Sequence, residues 1–164
     1  MLLPTIDTYQ EKNKEEIINL ILEIQIGEFA SQISLKDQPD LENIPAFYQK
    51  GAGNFWVAMS DHKVVGTIAL IDIGNSQCAL RKMFVAKEHR GKEKAVAQQL
   101  LTTLLAWCKS KNIKEIYLGT QASFFAAHRF YEKNGFVEIS KKDLPSSFPI
   151  MAVDTKFYVY RFDL

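Results

Sequence analysis

The sequence lacks the features that mark several common classes of protein. It has only two cysteines, Cys78 and Cys108, each inside an apolar pattern, and its three histidines have no ligand-like partners nearby. No apolar run approaches the roughly 20 residues that span a bilayer. The first residues have neither the basic start nor the longer apolar stretch of a secretory signal. We therefore expect no disulfide, no metal site and no membrane segment, and a cytoplasmic location.

A strong excess of one charge is also missing. Twenty basic residues face nineteen acidic ones, which gives a formal net charge of +1. This balance predicts no bulk attraction to nucleic acid or to a membrane surface, so neither is expected as a partner. The 47% hydrophobic content is enough for one core, and no repeat or linker interrupts the chain. A single domain over residues 1–164 is the simplest expectation.

Hydrophobic periodicity predicts a chain that mixes strands and helices. The expected order is β-α-α-β-β-β-α-β-α-β-β, beginning with a strand at residues 3–8 and a helix from Asn13 onward. Short polar breaks between the next three strands favour an antiparallel meander. A second long helix is expected from the spacing of apolar residues at 97–108. The remaining predicted segments are a helix at 41–50, strands at 54–60, 63–71, 78–85 and 115–120, a helix at 123–134, and two final strands, "FVEIS" and "KFYVYRFDL".

One segment combines a strand, a glycine-containing loop and the start of a helix, at residues 80–101. The first N–H groups of a helix lack internal partners, and the helix dipole makes that end positive, so anions bind there. Ala95 and Ala97 are small enough to let an anion approach the backbone. Three loop cations add positive charge: Arg90, Lys92 and Lys94. By itself, such a loop is more often a solvated connection.

Two longer stretches carry a resemblance to a known family. The segment "MFVAKEHRGKEKAVAQQLLTTLLAWCKSKNIKEIYLGT", followed by "AAHRFYEKNGF", resembles the GCN5-related N-acetyltransferase (GNAT) family over about residues 54–139. The resemblance implies a three-layer α/β (α+β) fold, with a mixed, mainly antiparallel sheet of six or seven strands and helices on both faces. It also implies an enzyme that transfers acetyl, or another short acyl group, from acetyl-CoA to a primary amine.

The loop departs from the family pattern Arg/Gln-x-x-Gly-x-Gly/Ala. Counted from Arg90, the first glycine position holds Glu93. Anchoring the match on the helix instead places Ala95 and Ala97 at the two small positions, in a loop that is two residues longer. We prefer this second alignment, in which Glu93 points away from the pyrophosphate. Phe124 stands where the family often has Asn, so that polar cofactor contact is either missing or supplied by Thr120 or Gln121.

The resemblance also implies roles for individual residues. Tyr131 would protonate the departing thiolate, although it is also compatible with a purely packing role. The strand before the loop has no carboxylate, so the general base is left unassigned, with His128 a weak candidate. The residues expected to bind acetyl-CoA are Met83, Phe84, Val85, Arg90, Gly91, Lys92, Lys94, Ala95, Val96, Ala97, Thr120 and His128.

The acceptor side is less well determined by the sequence. Glu28, Asp37 and Asp40 fall in the region that covers the acceptor in this family, either as binding carboxylates or as solvated surface groups. The identity of the amine is left open, and so is the oligomeric state, with a homodimer through the C-terminal strands as one option. The main alternative function is a non-catalytic acyl-CoA-binding or regulatory module on the same fold.

Overall fold

A computed structural model describes residues 3–91 and 95–163 of the chain. In this described part, seven strands form one sheet, in the order β1-β2-β3-β4-β5-β7-β6. The strands are β1 (Thr5–Thr8), β2 (Asn54–Ser60), β3 (Lys63–Gly74), β4 (Gln77–Val85), β5 (Glu115–Thr120), β6 (Val137–Ile139) and β7 (Lys156–Arg161). The helices are α1 (Lys14–Leu22), α2 (Pro39–Glu42), α3 (Ile44–Phe47), α4 (Val96–Ser110) and α5 (Phe125–Lys133).

The predicted antiparallel meander is confirmed in β2, β3 and β4. Ser60 pairs with Lys63, and Gly74 pairs with Gln77, so each hairpin turn has two residues. All four turn residues have positive φ angles, between 50° and 62°. Such turns match the right-handed twist of the strands that they connect.

Helices cover both faces of the sheet, which confirms the predicted three layers. On one face, α1, α2 and α3 pack with Phe55 and Val57 around the buried Ile17, Leu41 and Tyr48. The opposite face carries α4 and α5, whose buried side chains form the larger core cluster. Gly66 allows α4 to lie close to the sheet, because a Cβ at this position would be 3.0 Å from side chains of Val96 and Leu100.

The sheet opens between its two parallel strands. Strands β4 and β5 pair only from Gln77–Ala79 to Glu115–Tyr117, and then they separate. Just beyond this paired segment, β4 contains a bulge, where Lys82 has a φ of 51° and the register with β3 shifts. The Thr67 hydroxyl donates to the Lys82 carbonyl at 2.7 Å and stabilises this bulge. The opening gives access to the middle of the sheet from both faces.

Local details differ from the sequence prediction in two places. The helix that was predicted from Asn13 onward is α1, and it continues as a π-helix over Glu23–Glu28. The single helix predicted at 41–50 is instead the two short helices α2 and α3, because Asn43 and Pro45 begin a new helix there.

Cys78 and Cys108 are free and buried in the structure. In the part of the chain that the structure describes, no helix is both long enough and apolar enough to cross a bilayer. Residues 3–91 and 95–163 also contain no cluster of side chains suited to hold a metal ion.

Candidate active site

Two cavities meet at the opening between β4 and β5. The first, the α4–α5 cleft, has a volume of about 600 Å³. Its lining includes the end of β4, the start of α4 and one face of α5, with Val85, Arg90, Ala97 and Phe130. Most of this lining is apolar. The cleft is therefore suited to a long, flexible molecule with an apolar middle and a polar end near the loop.

The second cavity, the β4–β5 pocket, has a volume of about 190 Å³. It is lined by Arg81 and Lys82 of β4, by the end of β5, and by Met151 and Asp154 of the segment before β7. Three residues line both cavities: Met83, Ala127 and Tyr131. A molecule in the cleft and another in the pocket would therefore meet beside the Tyr131 side chain.

The start of α4 lies beside the cleft. Ala95 is the N-cap residue and has a left-handed φ of 52°, a conformation that usually favours glycine. Ala95 and Ala97 both line the cleft, and neither carries a side chain that covers the helix end. This arrangement is suited to bind an anion at the helix N-terminus. The alignment that places these alanines at the two small positions of the family pattern stays a prediction.

Arg90 lies at the mouth of the cleft and makes three hydrogen bonds. Its Nη1 and Nη2 donate to the Glu28 carboxylate at 2.7 and 2.8 Å, and its Nε donates to the Val85 carbonyl at 2.9 Å. The Arg90 hydrogen bonds lower the pKa of Glu28. Glu28, which was predicted to face the acceptor, thus lies beside the loop. Its acceptor-binding role stays a prediction.

Tyr131 is buried between the two cavities, in an aromatic cluster with Phe136 and Tyr158. Burial raises the pKa of its phenol to about 12. The Tyr131 hydroxyl lies 3.9 Å from Met83 Sδ, a weak interaction across the opening of the sheet. The phenol therefore stays protonated at ordinary pH and has no strong acceptor in this part of the structure to hold its proton.

A buried ionic cluster lies behind the β4–β5 pocket. The Lys82 ammonium donates to Gln38 Oε1 and lies 3.5 Å from Asp40 Oδ2, with both side chains almost inaccessible to solvent. Tyr48 donates its hydroxyl proton to the same Asp40 oxygen. Burial lowers the pKa of Lys82, and the Asp40 carboxylate opposes that shift. Asp40 therefore compensates a buried cation, and its contact with an acceptor stays a prediction.

Two further charged groups line the pocket itself. Arg81 is half-buried, and its Nη2 donates to Met151 Sδ at 3.5 Å. Asp154 Oδ2 accepts the Met151 N–H at 3.1 Å. Burial raises the pKa of the Asp154 carboxyl, while the Met151 hydrogen bond and the charge of Arg81 lower it.

The structure places the other predicted residues in several environments. Phe84 and Thr120 line the β4–β5 pocket, whereas Met83, Val85, Arg90, Gly91, Ala95 and Ala97 line the cleft. The Val96 side chain is buried in the core, and the His128 imidazole packs on Phe125 and Tyr158 with Nε2 2.8 Å from the Gln121 carbonyl. Asp37 accepts the Ser34 N–H at 2.9 Å. The predicted roles of Lys92 and Lys94, and the orientation of Glu93, lie outside the described residues.

The sequence analysis did not single out several residues that line the cavities. Ala127 and Phe130 lie with Tyr131 on one face of α5, at a spacing that helical periodicity would have indicated. Arg81 and Asp154 had no such signal, since an arginine in a strand and an aspartate in a loop are usually solvated.

The family of the chain is decided by comparison with known proteins. The sequence pattern described as "Acetyltransferase (GNAT) family" matches residues 18–136. The chain belongs to the GNAT family. A crystal structure of a GNAT-family acetyltransferase from Staphylococcus aureus Mu50 is 46% identical to this GNAT chain, with a TM-score of 0.91, and the match covers 96% of this chain and 98% of that one. This agreement confirms the predicted fold.

More distant GNAT relatives are also similar. The PaiA N-acetyltransferase from Thermoplasma acidophilum, solved in complex with coenzyme A, has a TM-score of 0.74 at 18% identity, over 98% of this chain and 100% of that one. This likeness supports the fold alone. The N-acetylaspartate synthetase of Xenopus tropicalis is 36% identical over 104 residues, or 61% of this chain. The matched segment spans only 37% of that relative's length.

Proposed function

We propose that the chain transfers an acetyl group from acetyl-CoA to a primary amine by direct attack within a ternary complex. The observation that supports this most strongly is the pair of cavities that meet at Met83, Ala127 and Tyr131. A bisubstrate reaction needs two binding sites that share one boundary. Catalysis then comes in large part from holding the two reactants in contact.

The α4–α5 cleft is the proposed site for acetyl-CoA. The helix N-terminus at Ala95 and the Arg90 guanidinium would bind the pyrophosphate. The pantetheine arm would follow the free edge of β4 beyond Ala79, where β5 no longer pairs with it. This path leads the thioester to the opening beside Tyr131. The small side chains of Ala126 and Ala127 leave room for it.

The proposed reaction forms one bond and breaks one. The amine nitrogen attacks the acetyl carbonyl carbon from the β4–β5 pocket, and the carbon–sulfur bond then breaks with its electron pair on sulfur. Tyr131 donates its proton to that thiolate. The nitrogen loses one proton to water, and a proton from water restores the phenol. The products are an N-acetylated amine and CoA.

Titration calorimetry with acetyl-CoA tests the binding step. We expect saturable one-site binding that weakens about fivefold in Arg90→Ala, because an exposed charge-assisted contact to phosphate contributes about 1 kcal/mol. The Arg161→Ala variant is the matched control, since Arg161 pairs with Glu115 at 3.0 Å at the far end of β5. Absence of saturable binding at millimolar acetyl-CoA would exclude the proposed function while leaving the fold unchanged.

The ion pair between Arg90 and Glu28 at the mouth of the cleft should also affect the affinity for acetyl-CoA. The Glu28 carboxylate accepts hydrogen bonds from both terminal nitrogens of Arg90. Replacing it in Glu28→Gln removes a negative charge that competes with the phosphates, so acetyl-CoA should bind about two- to threefold more tightly. The same titration measures this gain at low salt, and raising the salt should reduce it. Unchanged affinity at both salt concentrations would show that Arg90 does not contact the bound phosphates.

A further inference from the structure

The β4–β5 pocket contains a guanidinium that has no carboxylate partner. Across residues 3–91 and 95–163, no Asp or Glu oxygen forms an ion pair with Arg81 within 4.0 Å. Its only hydrogen bond in that part of the chain goes to the Met151 thioether, which is a weak acceptor. A guanidinium stays charged at all ordinary pH values, so this half-buried cation has no direct ion-pair partner among the described residues.

The two carboxylates of this region are already held by other groups. Asp40 accepts from Tyr48 and lies beside Lys82. Asp154 is fixed by the Met151 N–H and lies against Gly119, where a Cβ would be only 2.6 Å from its Oδ2 atom. Burial is the main cause that lowers the pKa of Lys82 and raises the pKa of Asp154, and the charge of Arg81 acts on both groups, adding to the first shift and opposing the second.

We propose that the acceptor is a primary amine that also carries a carboxylate, as in an amino acid, and that Arg81 binds this carboxylate. The planar guanidinium can donate two parallel hydrogen bonds to a carboxylate, which fixes both its position and its orientation. This assignment rests on the proposed function. It deepens that function by defining the acceptor class, since the pocket reaches Tyr131 at its inner end.

The charges of the pocket also disfavour the opposite class of acceptor. A diamine or polyamine would bring a second ammonium group close to Arg81, and the one carboxylate in this lining, Asp154, already accepts the Met151 N–H. The rest of the lining is mixed, since Phe124, Phe148 and Met151 are apolar whereas Lys82, Thr120 and Gln121 are polar. The volume of about 190 Å³ is below the range of about 300–1,000 Å³ that holds drug-sized ligands. A small acceptor with a modest apolar side chain fits these features.

The test compares amino acids with their own carboxamides as acceptors. Release of CoA from acetyl-CoA is measured with L-phenylalanine, L-leucine, L-aspartate and L-lysine, each beside its α-carboxamide, and with a diamine. In the wild type, at least one amino acid should exceed its carboxamide about tenfold in kcat/KM, because only the acid forms the ion pair. In Arg81→Met, kcat/KM for that amino acid should fall about 30- to 100-fold, mainly through KM, with the carboxamide unaffected.

Two controls separate this effect from a general loss of structure. Acetyl-CoA affinity should be the same in Arg81→Met and in the wild type, and Arg161→Met should behave as the wild type toward every acceptor. Arg81→Lys keeps the charge without the planar pair of donors, so it should retain part of the preference for the acid. If Arg81→Met lowers the melting temperature, Arg81→Gln replaces it and should give the same split between acid and carboxamide.

The outcomes distinguish this inference from the proposed function. Equal turnover of acids and carboxamides by the wild type, or a preference for the diamine, would overturn the carboxylate assignment and leave the acetyltransferase proposal in place. An equal loss in Arg81→Met for acids and carboxamides would also overturn it. Failure of every amine to release CoA from an enzyme that binds acetyl-CoA would overturn both.

Discussion

Replacing Tyr131 with Phe is expected to lower kcat by about 100-fold or more, because proton transfer from a positioned acid typically contributes about 10²–10⁴-fold. The substitution removes the hydroxyl and keeps the ring, so packing with Phe136 and Tyr158 is preserved. Acetyl-CoA affinity should stay within about twofold, since an unreacted thioester has no thiolate to protonate. Steady-state rates of CoA release, beside titration calorimetry, separate these two quantities.

The pKa of Tyr131, raised to about 12, adds a pH test. A general acid with this pKa remains protonated up to about pH 11, so its ionisation should cause no decline of kcat between about pH 8 and 10. Solution values near 8.5 for a thiol make proton transfer from this phenol unfavourable, but the same burial also disfavours the departing thiolate. Burial therefore raises the pKa of both groups, and the solution pKa of a thiol is not the relevant comparison for the phenol.

The neighbouring tyrosine provides the matched control. Tyr158 donates its hydroxyl proton to Glu132 at 2.6 Å, and its ring centroid lies 6.0 Å from that of Tyr131. Tyr158→Phe removes a phenol from the same cluster and should leave kcat nearly unchanged. Full activity of Tyr131→Phe would remove the catalytic assignment. Complete inactivity of the wild type toward all amines, with acetyl-CoA still bound, would instead favour the non-catalytic binding module.

Asp40→Ala is expected to lower the free energy of unfolding by about 3–5 kcal/mol, because it leaves a buried cation without its counter-charge. The Lys82 side chain is only 6% exposed, so water cannot replace the lost carboxylate. A change of this size should lower the melting temperature by roughly 10 °C in a chain of this length. Chemical and thermal unfolding measure the two values.

A double-mutant cycle measures the interaction free energy between Asp40 and Lys82. Asp40→Leu with Lys82→Met replaces both charges by apolar groups, and it should recover most of the stability that Asp40→Ala loses. Lys82→Met alone should be milder, since Asp40 keeps the hydrogen bond from Tyr48. Additive losses in the double variant would show that the two side chains do not interact.

The lowered pKa of Lys82 determines how the destabilisation by Asp40→Ala depends on pH. Folded Lys82 releases its proton at lower pH than unfolded Lys, whose pKa is about 10.4. Between those two values the unfolded state binds more protons, so stability rises with pH. Removal of the Asp40 carboxylate should lower the pKa of folded Lys82 further, which widens the pH range over which stability rises. The deficit of Asp40→Ala should therefore be largest near neutral pH and should shrink toward about pH 10.

Much of the fold was predictable because it depends on neighbours in the sequence. The meander follows from local polar breaks, although β3 continues to Gly74 and shortens the second predicted break to two residues. Strand β5 has the predicted bounds Glu115–Thr120. The α4 period predicted the buried Leu100, Leu101 and Leu104. The family motif placed Tyr131 on α5, and the structure brings it to the boundary of the two cavities.

The charged contacts of the site were not predictable in the same way. Arg90 pairs with Glu28 across 62 positions of sequence, and Lys82 contacts Gln38 across 44. In a strand, Arg81 and Lys82 should face opposite sides, but the bulge at Lys82 interrupts that alternation. Lys82 then reaches Gln38, and Arg81 reaches Met151.

By itself, the sequence determined the order of the elements, the faces of the long helices and the family, because periodicity, turn residues and a linear motif are local properties. Only the tertiary structure decided where β4 and β5 separate and which cations have a partner. Those features depend on segments far apart in the chain that meet at the opening of the sheet. The proposed acceptor class depends on these long-range contacts, because it rests on the position of the Arg81 guanidinium.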